Sequence, residues 1–267
     1  MIEIQYMSDL HTEGCQFEVE KTGDVLVLAG DIFSGRGTPV FRQFMERTMG
    51  LGFRAVLFVL GNHEGYGWSF SQARDLLRGY EEEYESFHFL DRDIVVIDGV
   101  RFLGCPLWSD PSLDAILQAR LYINDYSAIR GWTIEDHIIE HHRDVQWLSE
   151  NIQKQDVVIT HFPPTRHGID QSRFAGDILN SWFANDLSVL IRGWGAGLWI
   201  SGHTHHEWYD SVGVTTLVGN CRGYVQIGHS AGQIITEVKD FHPTRRIQYK
   251  VHNDADQSAE GVAAQSS

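Results

Sequence analysis

Five times along the chain an apolar run of strand length stops abruptly, and side chains with metal or acid–base chemistry follow at once. Ile2–Met7 leads into Ser8-Asp9-Leu10-His11, and Val25–Ala29 into Gly30-Asp31. Residues 56–60 lead into Gly61-Asn62-His63-Glu64, Val157–Thr160 into His161, and Leu198–Ser201 into Gly202-His203-Thr204-His205. Continuous runs of Val, Leu, Ile and Phe read as strands buried on both faces, the parallel-sheet type. Helical spacing separates them. Thr38–Gly50 has Pro39 near its start and apolar residues at 40, 41, 44, 45 and 49; residues 68–85 and 181–192 repeat the pattern. Thr133-x-x-Asp136 opens a further helix reaching to 153. Strands over 94–97 and 101–105 flank Asp98-Gly99, the two-residue hairpin signal, so the winding turns antiparallel there and the sheet is mixed. Residues 112–131 read as a short helix followed by Asn124-Asp125-Tyr126, and short strands over 214–218, 223–227 and 233–238 close an antiparallel layer. No repeat or linker divides the chain. Residues 1–252 read as one α/β domain, and the small, polar, acidic residues 253–267 as a disordered tail.

In open α/β sheets, ligands sit beyond the carboxyl ends of the strands. All five polar segments occupy that position. Asp9 and His11 are two apart, as are His203 and His205, so in extended backbone each pair points one way. Gly61 permits a sharp turn that delivers Asn62, His63 and Glu64 to the rim. Asp9, His11, Asp31, Asn62, His161, His203 and His205 exceed the four ligands that one metal takes. They suit two cations about 3.5–4 Å apart that share a carboxylate. With no thiolate in the set, imidazole, carboxylate and amide ligands favour Mn²⁺, Fe²⁺/Fe³⁺ or Zn²⁺. Other polar side chains read as surface: His137, His141 and His142 on their helix, the acidic run 81–83, and Arg36. Tyr66, Trp68, Trp108 and Tyr126 are rim aromatics placed to stack on a substrate.

The 267 residues, 42% of them hydrophobic, supply one large core. Three scattered cysteines indicate a reduced, cytoplasmic protein without a disulfide framework. The amino terminus enters a strand without a signal-peptide pattern, and no run approaches the ~20 apolar residues of a membrane span. A formal charge of −15 argues against long nucleic acid as a partner, which needs basic patches, while leaving room for a local cation site.

In order, Asp-x-His, Gly-Asp, Gly-Asn-His-Glu, His and Gly-His-Thr-His resemble the calcineurin-like metallophosphoesterase superfamily, over a span from Asp9 to His205. Glu64 stands where Asp is more usual. The run Gly219-Asn220-Cys221-Arg222-Gly223-Tyr224 is similar to an Asn-Pro-Arg-Gly-Tyr run in a bacterial branch of small phosphohydrolases, with Cys221 in place of proline. The resemblance implies a four-layer αββα sandwich of two mixed sheets. It also implies one divalent cation on Asp9, His11, Asp31 and His205, and a second on Asp31, Asn62, His161 and His203, with Asp31 bridging. The implied reaction is hydrolysis of a small, nucleotide-like phosphodiester or phosphomonoester by in-line attack of a bridging hydroxide. His63 would be the general acid, Asn62 and His63 would hold substrate, Arg222 would contact phosphate or make a structural ion pair, and Glu64 would orient His63 or face solvent. A non-catalytic binding scaffold would be expected to have lost ligands, and none is missing. A nuclease is disfavoured by the charge.

Overall fold

The computed structural model describes residues 1–227 and 234–250; the expected tail over 253–267 and the first residue of the strand expected over 233–238 lie outside them. The apolar runs pair side by side. β1 (Ile2–Met7), β2 (Val25–Ala29), β3 (Ala55–Val59) and β4 (Phe87–Phe89) are parallel neighbours in that order. The second sheet contains β5 (Asp93–Ile97), β6 (Val100–Cys105), β7 (Val157–Thr160), β8 (Leu198–Ser201), β9 (Glu207–Val212) and β10 (Thr215–Asn220). Its order is β5-β6-β7-β8-β10-β9: the central four are parallel and the two edges antiparallel. β11 (Val225–Ile227) and β12 (Ile234–Thr236) form a small hairpin, and β13 (Arg246–Tyr249) pairs antiparallel with β1.

Alternation of side chains explains why these strands read as unbroken apolar runs. Val25, Val27, Leu57 and Val59 point inward to meet Phe102, Val157, Ile159, Leu198 and Ile200 of the facing sheet. Leu26, Leu28, Val56 and Phe58 point outward against Phe41, Phe44, Leu77 and Tyr80, carried by α1 (Thr38–Gly50) and α2 (Phe70–Glu83). On the far side Val158, Trp199 and Leu217 pack on Leu148 of α5 (Ile134–Asn151) and Ile191 of α8 (Ser188–Trp194). Both faces of β2, β3, β7 and β8 are covered, so polar positions are excluded there until the strands end. The result is the expected αββα sandwich. Smaller helices complete the end that carries the polar segments: α3 (Leu113–Tyr122), α4 (Asp125–Ala128), α6 (Gln171–Phe174) and α7 (Asn180–Phe183).

Three expectations change. The helix expected over 181–192 is two helices, α7 and α8. The break falls at Asn185, whose amide donates to the carbonyls of Leu107, Trp108 and Pro163 at 3.3–3.4 Å. His137 and His141 are buried rather than on the surface. His137 Nε2 accepts the Ser109 N–H at 3.2 Å, His141 Nδ1 donates to the Trp108 carbonyl at 2.6 Å, and burial pushes His137 down to about 3. β4, β9 and β13 are strands that the hydrophobic pattern did not announce. β4 has three residues, and β9 and β13 are sheet edges with half their side chains in water. The Asp98-Gly99 hairpin and the Thr133–Asp136 capping box form as expected, with Asp98 and Gly99 both at positive φ. No helix among the described residues is long and apolar enough to cross a membrane.

Candidate metal centre

Where β1, β2 and β8 end, the backbone turns left-handed at non-glycine residues. Asp9, His11, Asp31, His203 and His205 have φ of 54°, 45°, 57°, 72° and 46°. Such conformations cost about 1 kcal/mol or more each and persist only where the surroundings over-determine them. Here the turn folds each side chain back over the strand ends. The two sheets are tied at this edge: the Ser8 N–H donates to the Asn220 carbonyl at 3.2 Å and the Arg222 N–H to the Ser8 carbonyl at 3.1 Å. Close approach requires glycine at two points. A Cβ on Gly202 would stand 2.7 Å from Asp9 Oδ2, and one on Gly61 would collide with the Asp31 carboxylate.

Glu64 is neither solvated nor an orienter of His63. It is fully buried, and its carboxylate accepts four backbone N–H groups. Oε2 takes those of Asp31 and Gly61 at 2.9 and 2.7 Å; Oε1 takes those of Ile32 and Phe33 at 2.7 and 3.2 Å. One side chain thus pins the loop carrying Asp31 to the loop carrying Asn62. Burial, and then the Asp31 charge, push this carboxyl up to about 7, against the donors that favour its ionised form.

The seven expected ligands converge in two groups. In one, His11 Nε2 lies 3.1 Å from His205 Nε2, which lies 3.5 Å from Asp9 Oδ1. In the other, His161 Nε2 lies 3.1 Å from His203 Nδ1, 3.2 Å from Asn62 Oδ1 and 3.4 Å from Asp31 Oδ1. The orientation of these groups is fixed from behind. A carbonyl can only accept, so His161 Nδ1 donates to Ala29 O at 2.9 Å, and in the neutral ring Nε2 keeps its lone pair toward the centre. His205 Nδ1 donates to Glu237 Oε2 at 2.6 Å with the same consequence. The Asn62 amide nitrogen donates to Asp125 Oδ1 at 2.9 Å, so its oxygen also faces inward. Lone pairs therefore face lone pairs, an arrangement that a positive charge must complete. Without a metal, protons serve. Burial opposes charge on His161, yet Asp31 and Asp9 outweigh it and hold its pKa up at about 9. Burial also opposes charge on Asp31, but His161 and then His63 hold its carboxyl well below the usual range. Burial and the His161 charge keep His203 neutral. The donor set, hard oxygens and imidazoles without thiolate, fits divalent cations of the Mn²⁺, Fe or Zn²⁺ kind.

His63 stands at the edge of both groups, its N–H on Asp31 Oδ1 at 2.8 Å. Its ring stacks on Tyr66 with centroids 4.0 Å apart, its Nε2 lies 3.1 Å from the Tyr224 hydroxyl, and its Nδ1 lies 3.9 Å from Glu13 Oε1. Burial lowers its pKa, but Asp31 and Glu13 more than reverse that and raise it to about 9. Arg222 is the correction to the expected substrate-binding set. Only 4% exposed, it donates to the carbonyls of Leu10 and Cys15 at 2.9 and 3.3 Å and lies over the Phe17 ring. It braces the loop after β1 and does not reach a ligand. Of the four rim aromatics, Tyr66 lines the adjoining cleft. Trp108 is core, Trp68 donates its indole N–H to the Glu64 carbonyl, and Tyr126 meets His137. Glu13, Tyr224 and Glu237 from loops, and Asp125 from the start of α4, complete the surroundings, and their spacing carried no signal.

A cleft of about 420 Å³ opens beside His63, His203 and His205. Fold and site together define a class: the chain belongs to the calcineurin-like phosphoesterase family, whose sequence profile matches residues 6–207. The uncharacterized protein L509 of Acanthamoeba polyphaga mimivirus is 24% identical over 242 residues, spanning 76% of this chain and 84% of that protein. Among solved structures, a phosphopantetheinyl hydrolase from Mycobacterium tuberculosis superposes with a TM-score of 0.65 at 16% identity, covering 83% of this chain and 89% of its own. A dimetal phosphatase from Danio rerio gives 0.46 at 13% identity, covering 81% and 86%.

Proposed function

We propose that the protein is a dinuclear metal-dependent phosphoesterase that hydrolyses a small phosphodiester or phosphomonoester. The observation that carries the reading is the inward convergence of Asp9, His11 and His205 beside Asp31, Asn62, His161 and His203, with His161, His205 and Asn62 held from behind so that their lone pairs face the centre. Two divalent cations bound there would supply Lewis acidity toward the phosphoryl oxygens and an activated water for in-line attack. Two dications against two aspartates leave about +2, a local site for a phosphate inside an acidic protein. Asp31, which groups with His161 and His203, is the residue proposed to serve both cations. Asn62 turns its oxygen inward because Asp125 takes its amide hydrogens. His63 would give a proton to the departing oxygen. Glu64 fixes the distance between the Asp31 and Asn62 loops.

Three free cysteines support a cytoplasmic setting, and residues 1–252 are taken as one catalytic domain, in which the late β13 pairs with the first strand. The test combines metal analysis of protein purified without chelators with a panel of nitrophenyl mono- and diesters that includes a phosphopantetheinyl ester. Two metal equivalents per chain and metal-dependent hydrolysis are expected. Chain free of metal, and inert on the whole panel after metal is added, would overturn the reading.

A further inference from the structure

We propose that the cleft beside the two ligand groups is a nucleoside subsite, so that the phosphoester cut here belongs to a nucleotide; the inference rests on the phosphoesterase reading above. The cleft, about 420 Å³, lies within the range of small-molecule sites. It begins at the cluster itself, where Phe183 stacks on the His203 ring with centroids 5.4 Å apart at 24°. Tyr224 lines it beside the cluster, 3.1 Å from His63 Nε2, and Phe174 and Tyr122 line it too; the three are 47%, 37% and 61% exposed. Large aromatic rings left this open to water around one mouth mark a surface that a ligand covers, and ring faces favour a flat one. The walls are not purely apolar. Asn180 commits its amide nitrogen to the Phe174 carbonyl at 2.7 Å, which leaves its oxygen as an acceptor for the edge of a base.

Arg173 separates a nucleotide from a chain-bearing ester. It is exposed, lies over the Phe174 ring at 4.8 Å, and has no ion-pair partner within 4.0 Å among the described residues. An exposed guanidinium in the wall of a phosphate-directed cleft, near the Glu237 and Asp170 charges but bonded to neither, complements a second negative charge such as another phosphate. An alkyl or acyl chain would cover the rings and leave both Arg173 and the Asn180 oxygen without a counterpart. A nucleotide uses all three.

The test is calorimetry on Mn²⁺-loaded protein with four probes. They are inorganic phosphate, hexylphosphonate, a 5′-deoxyadenosine 5′-phosphonate that resists hydrolysis, and its analogue bearing a second phosphate. Base stacking predicts that the adenosine phosphonate binds about tenfold or more tighter than hexylphosphonate. Phe174→Ala should remove that advantage while leaving inorganic phosphate unchanged, and Phe174→Tyr should restore it. The gain from a second phosphate should disappear in Arg173→Ala. Hexylphosphonate binding as well as the adenosine compound, or Phe174→Ala binding the adenosine compound normally, would overturn the subsite. Failure of inorganic phosphate to bind at all would overturn the phosphoesterase reading instead, and the subsite with it.

Discussion

Glu64→Gln isolates the brace beneath the site, because it keeps shape and changes only which atoms accept. Each carboxylate oxygen now receives two backbone N–H groups, those of Asp31 and Gly61 on one and those of Ile32 and Phe33 on the other. A glutamine must place its NH₂ against one of those pairs, so two buried N–H groups lose their acceptor. At about 1–3 kcal/mol for each unsatisfied donor, the loss is about 2–6 kcal/mol. In a chain of this size that corresponds to a fall in Tm on the order of 10 °C. The N–H groups belong to the loops holding Asp31 and Asn62, so metal affinity should fall about 10–100-fold as well, the usual cost of losing a group that orients ligands. Circular dichroism melts with and without Mn²⁺, together with a metal titration, read both effects. A variant that melts within about 2 °C of wild type and binds metal normally would show that Glu64 does not brace the loops.

Four further outcomes follow from the same geometry. Asp31→Asn should lose more metal and more turnover than substitution of any ligand proposed to serve one cation, as metal analysis and nitrophenyl ester kinetics would show; normal values in both would break the bridge. His63→Ala should retain metal and lose about 10²–10⁴-fold on an alkyl ester but far less on a nitrophenyl ester, whose leaving group needs no proton; equal losses would remove the acid role. Metal-free protein should lose several kcal/mol of stability, read by urea unfolding, as pH rises from 6.5 through 9. His63 and His161 have folded pKa values near 9, above their unfolded values, so their contribution is complete below pH 6.5 and is lost as pH rises through 9, while Glu64, raised to about 7, pushes the same way from lower pH. A rise in stability over that range would contradict the assignment. Arg222→Ala should lower Tm by several degrees with little change in KM, since its guanidinium binds Leu10 and Cys15 carbonyls; a large rise in KM at unchanged Tm would return it to the substrate.

The five strand ends were legible because a strand covered on both faces excludes polar residues until it stops, so the first Asp, Asn or His stands out. Ligand identity was therefore open to reading while ligand support was not. Glu64 lies two residues after Asn62, but its partners at Asp31, Ile32 and Phe33 lie about thirty residues back, a pairing that only the sheet reveals. Glu13 and Glu237 reach the centre from loops of no fixed period, and Asp125 from the first residue of a one-turn helix. His137 and His141 sit one helical turn apart and looked like surface residues. They point inward because α5 packs on the loop through Trp108 and Ser109. Arg222 beside glycines suggested a phosphate loop, but its side chain turns back beneath the loop after β1.

The central claim is that two cations complete the lone pairs gathered at these strand ends and that hydrolysis depends on both. Chelator-stripped protein titrated with Mn²⁺, with bound metal and hydrolysis of a nitrophenyl phosphoester followed in the same samples, tests it directly. Binding should saturate at two equivalents per chain, and the rate should climb only as the second is taken up. Full turnover in the stripped protein, or saturation at one equivalent with full turnover, would contradict it.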